Sequence, residues 1–196
     1  MQTLAQIAIY VISSLGTLYV SLVLLRFLLQ LFRADYYNPI SKAIAKLTNP
    51  LLLPLRKIIP GLFGIDLAAI VLALLLQALL MQIIFFLHGF GLQNIFFLLI
   101  WSLIALVGLL LAFYYWGVLI MIIASLVAPY SDNPALTLLR QITEPVLAPF
   151  RKIIPPIGGL DLSPILFFMI LQICRSYLLP ALAQTFGMPA GLAIGV

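Results

Sequence analysis

The ionisable residues of this 196-residue chain are few: ten Lys and Arg, five Asp and Glu, and one His. The stretch "PLRKIIPGLFGID", residues 54–66, gathers three of them and returns as "PFRKIIPPIGGLD", residues 149–161. Each copy places a cation pair, Arg56-Lys57 or Arg151-Lys152, ahead of an aspartate, Asp66 or Asp161. Two chemistries suit such a unit. Adjacent cations on aliphatic stems anchor at phosphate headgroups, or recognise anionic lipid or an acidic partner. A carboxylate just before a helix accepts free N–H groups and complements the positive end of the helix dipole. An ion pair between the two is compatible with both roles.

Three further polar residues fall inside apolar runs: Gln77, Gln172 and Arg175. Polar groups in a membrane span are costly and usually face a partner or a cavity, so these three form a candidate intramembrane polar site. Arg175 has the alternative of snorkelling to the outer interface. His88 and Cys174 each stand alone. With one cysteine, no intrachain disulfide forms, and no zinc, iron–sulfur or haem-attachment spacing exists. No metal or other cofactor is expected. No phosphate-binding loop, nucleophile elbow or paired acid–base set is present, so an enzyme is not expected, nor is direct nucleic-acid binding.

The elements that must position these residues are membrane spans. The chain is 65% hydrophobic and 8% charged, against about 25% charged for a typical soluble domain. Apolar runs of about 20 residues, enough to cross a bilayer, recur along it. Four spans are expected: 4–25, extending toward Phe32; 67–87; one within 95–128; and one from just after Asp161 to near Pro180. The third run exceeds one perpendicular crossing and must tilt, break or lie partly in the interface. The first has no preceding Lys or Arg and no small-residue cleavage site, so it reads as a retained span.

The basic residues are one-sided. Arg33, Lys42, Lys46, Arg56 and Lys57 lie between spans one and two, and Arg140, Arg151 and Lys152 lie between spans three and four. The start of the chain, the 88–94 turn and the C-terminal tail carry none. The positive-inside rule then places both long connections in the cytoplasm and both termini outward.

Residues 38–77 align with 133–172 without a gap, and 17 of the 40 positions are identical. The matches follow a polar and proline skeleton: Asn38/Asn133, Pro39/Pro134, Thr48/Thr143, Arg56/Arg151, Asp66/Asp161 and Gln77/Gln172 among them. Compositional bias would match leucines instead. The organisation is a first repeat at 1–87, an outer turn at 88–94, a second repeat at 95–186 and a tail at 187–196. Two spans per repeat leave both copies in the same orientation, so the expected fold is all-α, with four transmembrane helices as two parallel two-span repeats.

Each connection opens like a helix. Asn38 and Asn133 are N-cap residues, with Pro39 and Pro134 at the first helical position. Ile40, Ala43, Ile44 and Leu47 follow at helical spacing opposite Ser41, Lys42 and Lys46, and Ala135, Leu138, Leu139 and Ile142 repeat the register. This is the pattern of an amphipathic interfacial helix. Pro50 and Pro145 are expected to end it. Residues 50–60 and 145–155 are too short to span; they lie in the interface or dip in as a re-entrant segment. Gly61–Gly64 and Pro156–Gly159 are read as tight reversals before the capping aspartates.

Two copies of N-P…T-x-P-x-L-x-P-x-R-K-I-I-P…G-x-D, each between hydrophobic spans, resemble the YggT family, also called YlmG. The likeness covers essentially the whole chain and includes the approach Tyr36-Tyr37-Asn38-Pro39. The resemblance implies a bacterial inner-membrane protein with relatives in plastid membranes. It implies a link to osmotic-stress tolerance, ion homeostasis or the neighbourhood of cell division. For plastid relatives it implies nucleoid distribution and assembly of a b-type cytochrome complex through haem attachment. It brings no catalytic residues. The expected function is therefore a non-enzymatic scaffold or assembly and homeostasis factor acting through its cytoplasmic loops. Membrane lipids with anionic headgroups, a homo-oligomer or a partner membrane complex are its expected partners. The rival reading is an ion channel or transporter subunit.

Overall fold

The computed structural model describes residues 2–62, 64–128, 131–154 and 161–189. Its helices are α1 (Gln2–Leu31), α2 (Pro39–Ile58), α3 (Leu67–Leu87), α4 (Ile95–Val127), α5 (Pro134–Ile153), α6 (Ser163–Ile173) and α7 (Leu179–Thr185). A π-helical segment, Cys174–Leu178, joins α6 to α7. Among the described residues there is no strand, only an isolated antiparallel bridge between Leu62 and Ile65. The reversal called at Pro156–Gly159 lies outside the described residues.

Four helical runs are long and apolar enough to cross a membrane: Gln6–Leu31, Leu67–Leu87, Ile95–Val127 and Ser163–Thr185. The protein is a membrane protein of four spans. The second span has the expected bounds, because Asp66 accepts from Ala69 N–H at its start and Gly89 adopts a left-handed φ of 81° just past its end. The fourth span corrects the expected stop near Pro180. It continues to Thr185 because the helix widens to π geometry just before the proline, with the Leu179 N–H bonded to the Cys174 carbonyl. Pro180 then falls at the second residue of α7, directly after the π segment.

A second correction concerns the connections. Pro50 and Pro145 do not end their helices: α2 runs through Pro50 and Pro54, and α5 through Pro145 and Pro149. All four prolines are exposed. The carbonyls deprived of a donor in α2 belong to Lys46 and Pro50, which are exposed as well, so no buried group is orphaned by the lost bonds.

Apolar contact does not itself drive helices together in hydrocarbon, so close packing must hold the bundle. Val20 and Val23 of α1 fit against Ala68, Ala69, Leu72 and Ala73 of α3. Further along, Gly16 meets Leu80 so tightly that a Cβ at position 16 would stand 2.4 Å from Leu80 Cδ1. The other side of α3 brings Ala78, Met81 and Phe85 onto Leu98, Trp101 and Ala105 of α4. Between them the 88–94 turn is clasped by Gln82, whose Nε2 donates to the Gly91 carbonyl (3.1 Å) and whose Oε1 accepts from Gln93 N–H (3.0 Å).

Candidate functional site

Both ends of α2 are tied to the same end of α1. Ser41 Oγ donates to the Asp35 carbonyl at 2.7 Å, and Arg56 Nη2 donates to Gln30 Oε1 at 2.7 Å. The helix therefore lies across the end of the bundle instead of traversing it. Its inward stripe is Ser41, Ile44, Ala45, Thr48 and Leu52, all buried. Thr48 Oγ1 returns its proton to the Ile44 carbonyl at 2.7 Å, which lets a polar side chain sit fully inside. A different stripe, Ala43, Leu47, Leu51, Pro54 and Ile58, is exposed. Beside it stand Lys42, Lys46 and Lys57, also exposed.

The expected register at 40, 43, 44 and 47 is thus split: Ile44 faces the protein, while Ala43 and Leu47 face away from it. In α5 the split falls differently. Leu138 and Ile142 are buried in the core beside Leu28 and Val118, so the second copy spends much of its apolar side on the bundle. The reason is α4: Gly117 has no side chain, and Leu139 and Thr143 approach within 3.1 and 3.5 Å of where its Cβ would be.

At the far end of each connection an arginine reaches back to the aspartate that starts the next span. Arg56 Nη2 lies 2.5 Å from Asp66 Oδ2, with the carboxylate almost fully buried. Asp66 Oδ1 accepts from Ala69 N–H at 3.3 Å. In the second copy Arg151 Nε lies 2.7 Å from Asp161 Oδ2, and Asp161 Oδ1 accepts from Ser163 N–H at 3.0 Å. Arg151 also pairs with Glu144, whose equivalent in the first copy is Asn49. Partial burial alone would raise the Asp161 carboxyl, but hydrogen bonds from Ser163 and Arg151 and the Arg151 charge outweigh it and hold its pKa below the ordinary range. Arg151 is pushed up in turn: burial disfavours its charge, and Asp161 and Glu144 more than compensate. Lys57 and Lys152 point outward and form no ion pair among the described residues.

The starts of the two connections also meet. Asn38 Oδ1 caps α2 by accepting from Ile40 N–H at 2.9 Å, and its Nδ2 donates to the Pro134 carbonyl at 2.8 Å. Asn133 Oδ1 caps α5 through Ala135 N–H at 2.8 Å. Pro39 and Pro134 occupy the first turns. Gln141 Oε1 accepts from Asp35 N–H at 2.9 Å, a second tie between the repeats. Nothing in the sequence pointed to Gln141 or Gln30, because each acts on a group distant in the chain.

The intramembrane polar site is not assembled as one site. Gln77 is fully buried in α3, with both amide atoms unpartnered. Gln172 is exposed on α6 and donates to Ser176 Oγ at 2.9 Å. Arg175 lies in the π segment with its guanidinium 5.5 Å from the Tyr115 ring centre, a cation–π geometry. A cleft of about 350 Å³ between α1, α4 and α5 is lined by apolar side chains such as Leu24, Leu28 and Phe113, with Ser21 its polar member.

A family model described as CCB3/YggT matches residues 5–87 and again residues 100–182. The two matches are separated by the same 95-residue offset as the motif copies. The chain is 52% identical over 188 residues to the uncharacterized protein PA0392 of Pseudomonas aeruginosa, covering 95% of each chain. It is 42% identical over 167 residues to a protein of Vibrio alginolyticus described by its place in the proC 3' region, covering 83% of this chain and 88% of that one. To the YggT protein of Escherichia coli K12 it is 32% identical over 168 residues, covering 84% and 85%. No solved structure matches the chain.

Proposed function

This chain belongs to the CCB3/YggT family, and from that premise we propose that it is a non-enzymatic scaffold of the bacterial inner membrane. In this reading α2 lies on the anionic cytoplasmic leaflet and helps to organise a membrane complex that supports osmotic or envelope homeostasis. The observation that carries it is the exposed surface of α2. An apolar stripe, Ala43, Leu47, Leu51, Pro54 and Ile58, runs beside exposed Lys42, Lys46 and Lys57, while a separate stripe packs on the protein. Such a surface is amphipathic toward its surroundings and suits the headgroup boundary, with cations at phosphate depth. Both connections would face the cytoplasm, and the two repeats would run in the same direction.

Two measurements test it. An environment-sensitive fluorophore at Leu47→Cys, in a Cys174→Ser background, should report an apolar setting in vesicles. That signal should weaken when anionic lipid is omitted or when Lys42, Lys46 and Lys57 become Gln. Changing Arg56, Lys57, Arg151 and Lys152 together to Gln should weaken complementation of a deletion strain. A water-like signal at position 47, with full complementation by the quadruple variant at equal protein levels, overturns the reading.

One observation favours a second reading, a channel or transporter subunit: the buried Gln77 amide has no partner within the described protein. Flux in reconstituted liposomes that is abolished by Gln77→Leu would establish it. A tight vesicle with that variant and wild type alike removes it.

A further inference from the structure

The internal duplication separates what a connection needs in order to fold from what only one copy has. Where α1 ends and α2 begins, Arg26, Gln30, Arg33, Tyr36 and Ser41 line a cleft of about 300 Å³. At the 95-residue offset Arg26 and Arg33 correspond to Met121 and Ala128. The second connection folds without either cation, so the charge of this cleft is not part of the repeated scaffold.

The protein leaves both arginines poorly served. Arg26 Nε is buried and has no hydrogen-bond partner among the described residues. Its guanidinium carbon lies 5.9 Å from the Tyr36 ring centre, a contact that offers the Nε proton no acceptor oxygen. Neither Arg26 nor Arg33 forms an ion pair among the described residues. Asp66 is taken by Arg56, which also donates to Gln30 on the cleft wall. Arg33 has in addition a left-handed φ of 52°. It occupies the reversal after α1, where Ala34 N–H bonds to the Leu29 carbonyl at 2.8 Å and Arg33 N–H to the Gln30 carbonyl at 3.1 Å. Glycine is the usual residue at such a helix end, so an arginine there strains the backbone for the sake of its side chain.

A buried, unpartnered N–H on one cation, beside a second cation, is completed by an oxyanion. We propose that this cleft binds a phosphate group, gripped by the Arg26 and Arg33 guanidiniums, whose planar forks match phosphate oxygens. The cleft stands at the end of the span Gln6–Leu31, the depth of headgroup phosphates, so an anionic phospholipid is the source its position favours. Free phosphate offers the same oxygens. The site does not rest on α2 lying along the leaflet.

Titration calorimetry on the full chain, in micelles of an uncharged detergent, tests the site. Dihexanoyl phosphatidylglycerol should bind saturably, and dihexanoylglycerol, which lacks the phosphate, should not. Inorganic phosphate is the third probe: binding as tight as that of the lipid makes free phosphate the occupant, and weaker binding makes it the headgroup. Arg33→Gly relaxes the left-handed backbone and so should fold at least as well, yet bind phosphatidylglycerol about tenfold more weakly, as should Arg26→Gln. Arg140→Gln removes one exposed charge from α5 and should bind as the wild type does. No saturable binding of either phosphate probe overturns the proposal. So does wild-type affinity in Arg33→Gly and Arg26→Gln, or an equal loss in Arg140→Gln. Because the short-chain probe needs no bilayer, these outcomes are independent of where α2 lies.

Discussion

Asn38 and Pro134, on different repeats, are joined by a hydrogen bond of 2.8 Å from the Asn38 amide to the Pro134 carbonyl. The same side chain caps its own helix through Ile40 N–H. One amide therefore starts α2 and holds the start of α5 beside it, whereas its counterpart Asn133 is exposed and caps only α5.

That asymmetry orders three variants. Asn38→Asp keeps the capping acceptor and loses the donor, at about 1 kcal/mol, the worth of one hydrogen bond. Asn38→Ala loses the cap as well, for about 2 kcal/mol in all. Asn133→Ala loses one exposed cap and should cost less than Asn38→Ala. Unfolding of the purified protein in mixed detergent micelles measures the order.

Arg56 and Arg151 make the same contact in different surroundings, so they should not be equally costly to remove. Asp66 has only 3% of its side chain exposed, and Asp161 has 30%. Arg56→Gln strands a buried carboxylate and should cost about 3 kcal/mol, much of it restored by adding Asp66→Asn. Arg151→Gln should cost about 1 kcal/mol or less, as exposed pairs do. A double-variant cycle on each pair, read by the same unfolding assay, checks both values.

The depressed Asp161 pKa fixes the sign of an acid dependence. Its folded value lies below its ordinary value. The stability it contributes is therefore complete above about pH 4, the ordinary carboxyl range, and is lost as pH falls through the lower folded value. Between pH 5 and pH 2 the wild type should lose its lead over Asp161→Asn. In Arg151→Gln that loss should begin at higher pH. Melting curves across this range give the comparison.

Gly16 and Leu80 are in contact where any side chain at position 16 would collide. Gly16→Ala forces the Leu80 methyls aside and should cost about 1 kcal/mol, with Gly16→Leu toward 3 kcal/mol. Combining Gly16→Ala with Leu80→Ala should cost less than the sum of the single changes, because the collision is gone. A cycle of the four proteins measures that coupling.

The span ends were legible because local chemistry writes them: an aspartate that caps at 66, and a His-Gly turn at 88–89. The repeat was legible because an unbroken offset preserves residues that apolar composition would not. The prolines at 50 and 145 misled, because the rule that they end helices assumes the lost bonds fall where nothing else can serve, and here they fall on an exposed side. Burial was not legible at all. Asp66 and Asp161 have the same motif, yet one is buried and the other is not, and Arg56 also reaches Gln30 where Arg151 reaches Glu144; only the fold brings those partners in. Gln77 and Gln172 are likewise at equivalent repeat positions and opposite in environment, since α3 lies between two spanning helices, α1 and α4, and α6 packs on only one, α4.

The Gln82 amide bonds both to Gly91 and to Gln93 across the turn between the repeats. In mechanical terms it makes that turn a splint, not a hinge. Bending the turn, and so displacing one repeat against the other there, breaks both bonds at once.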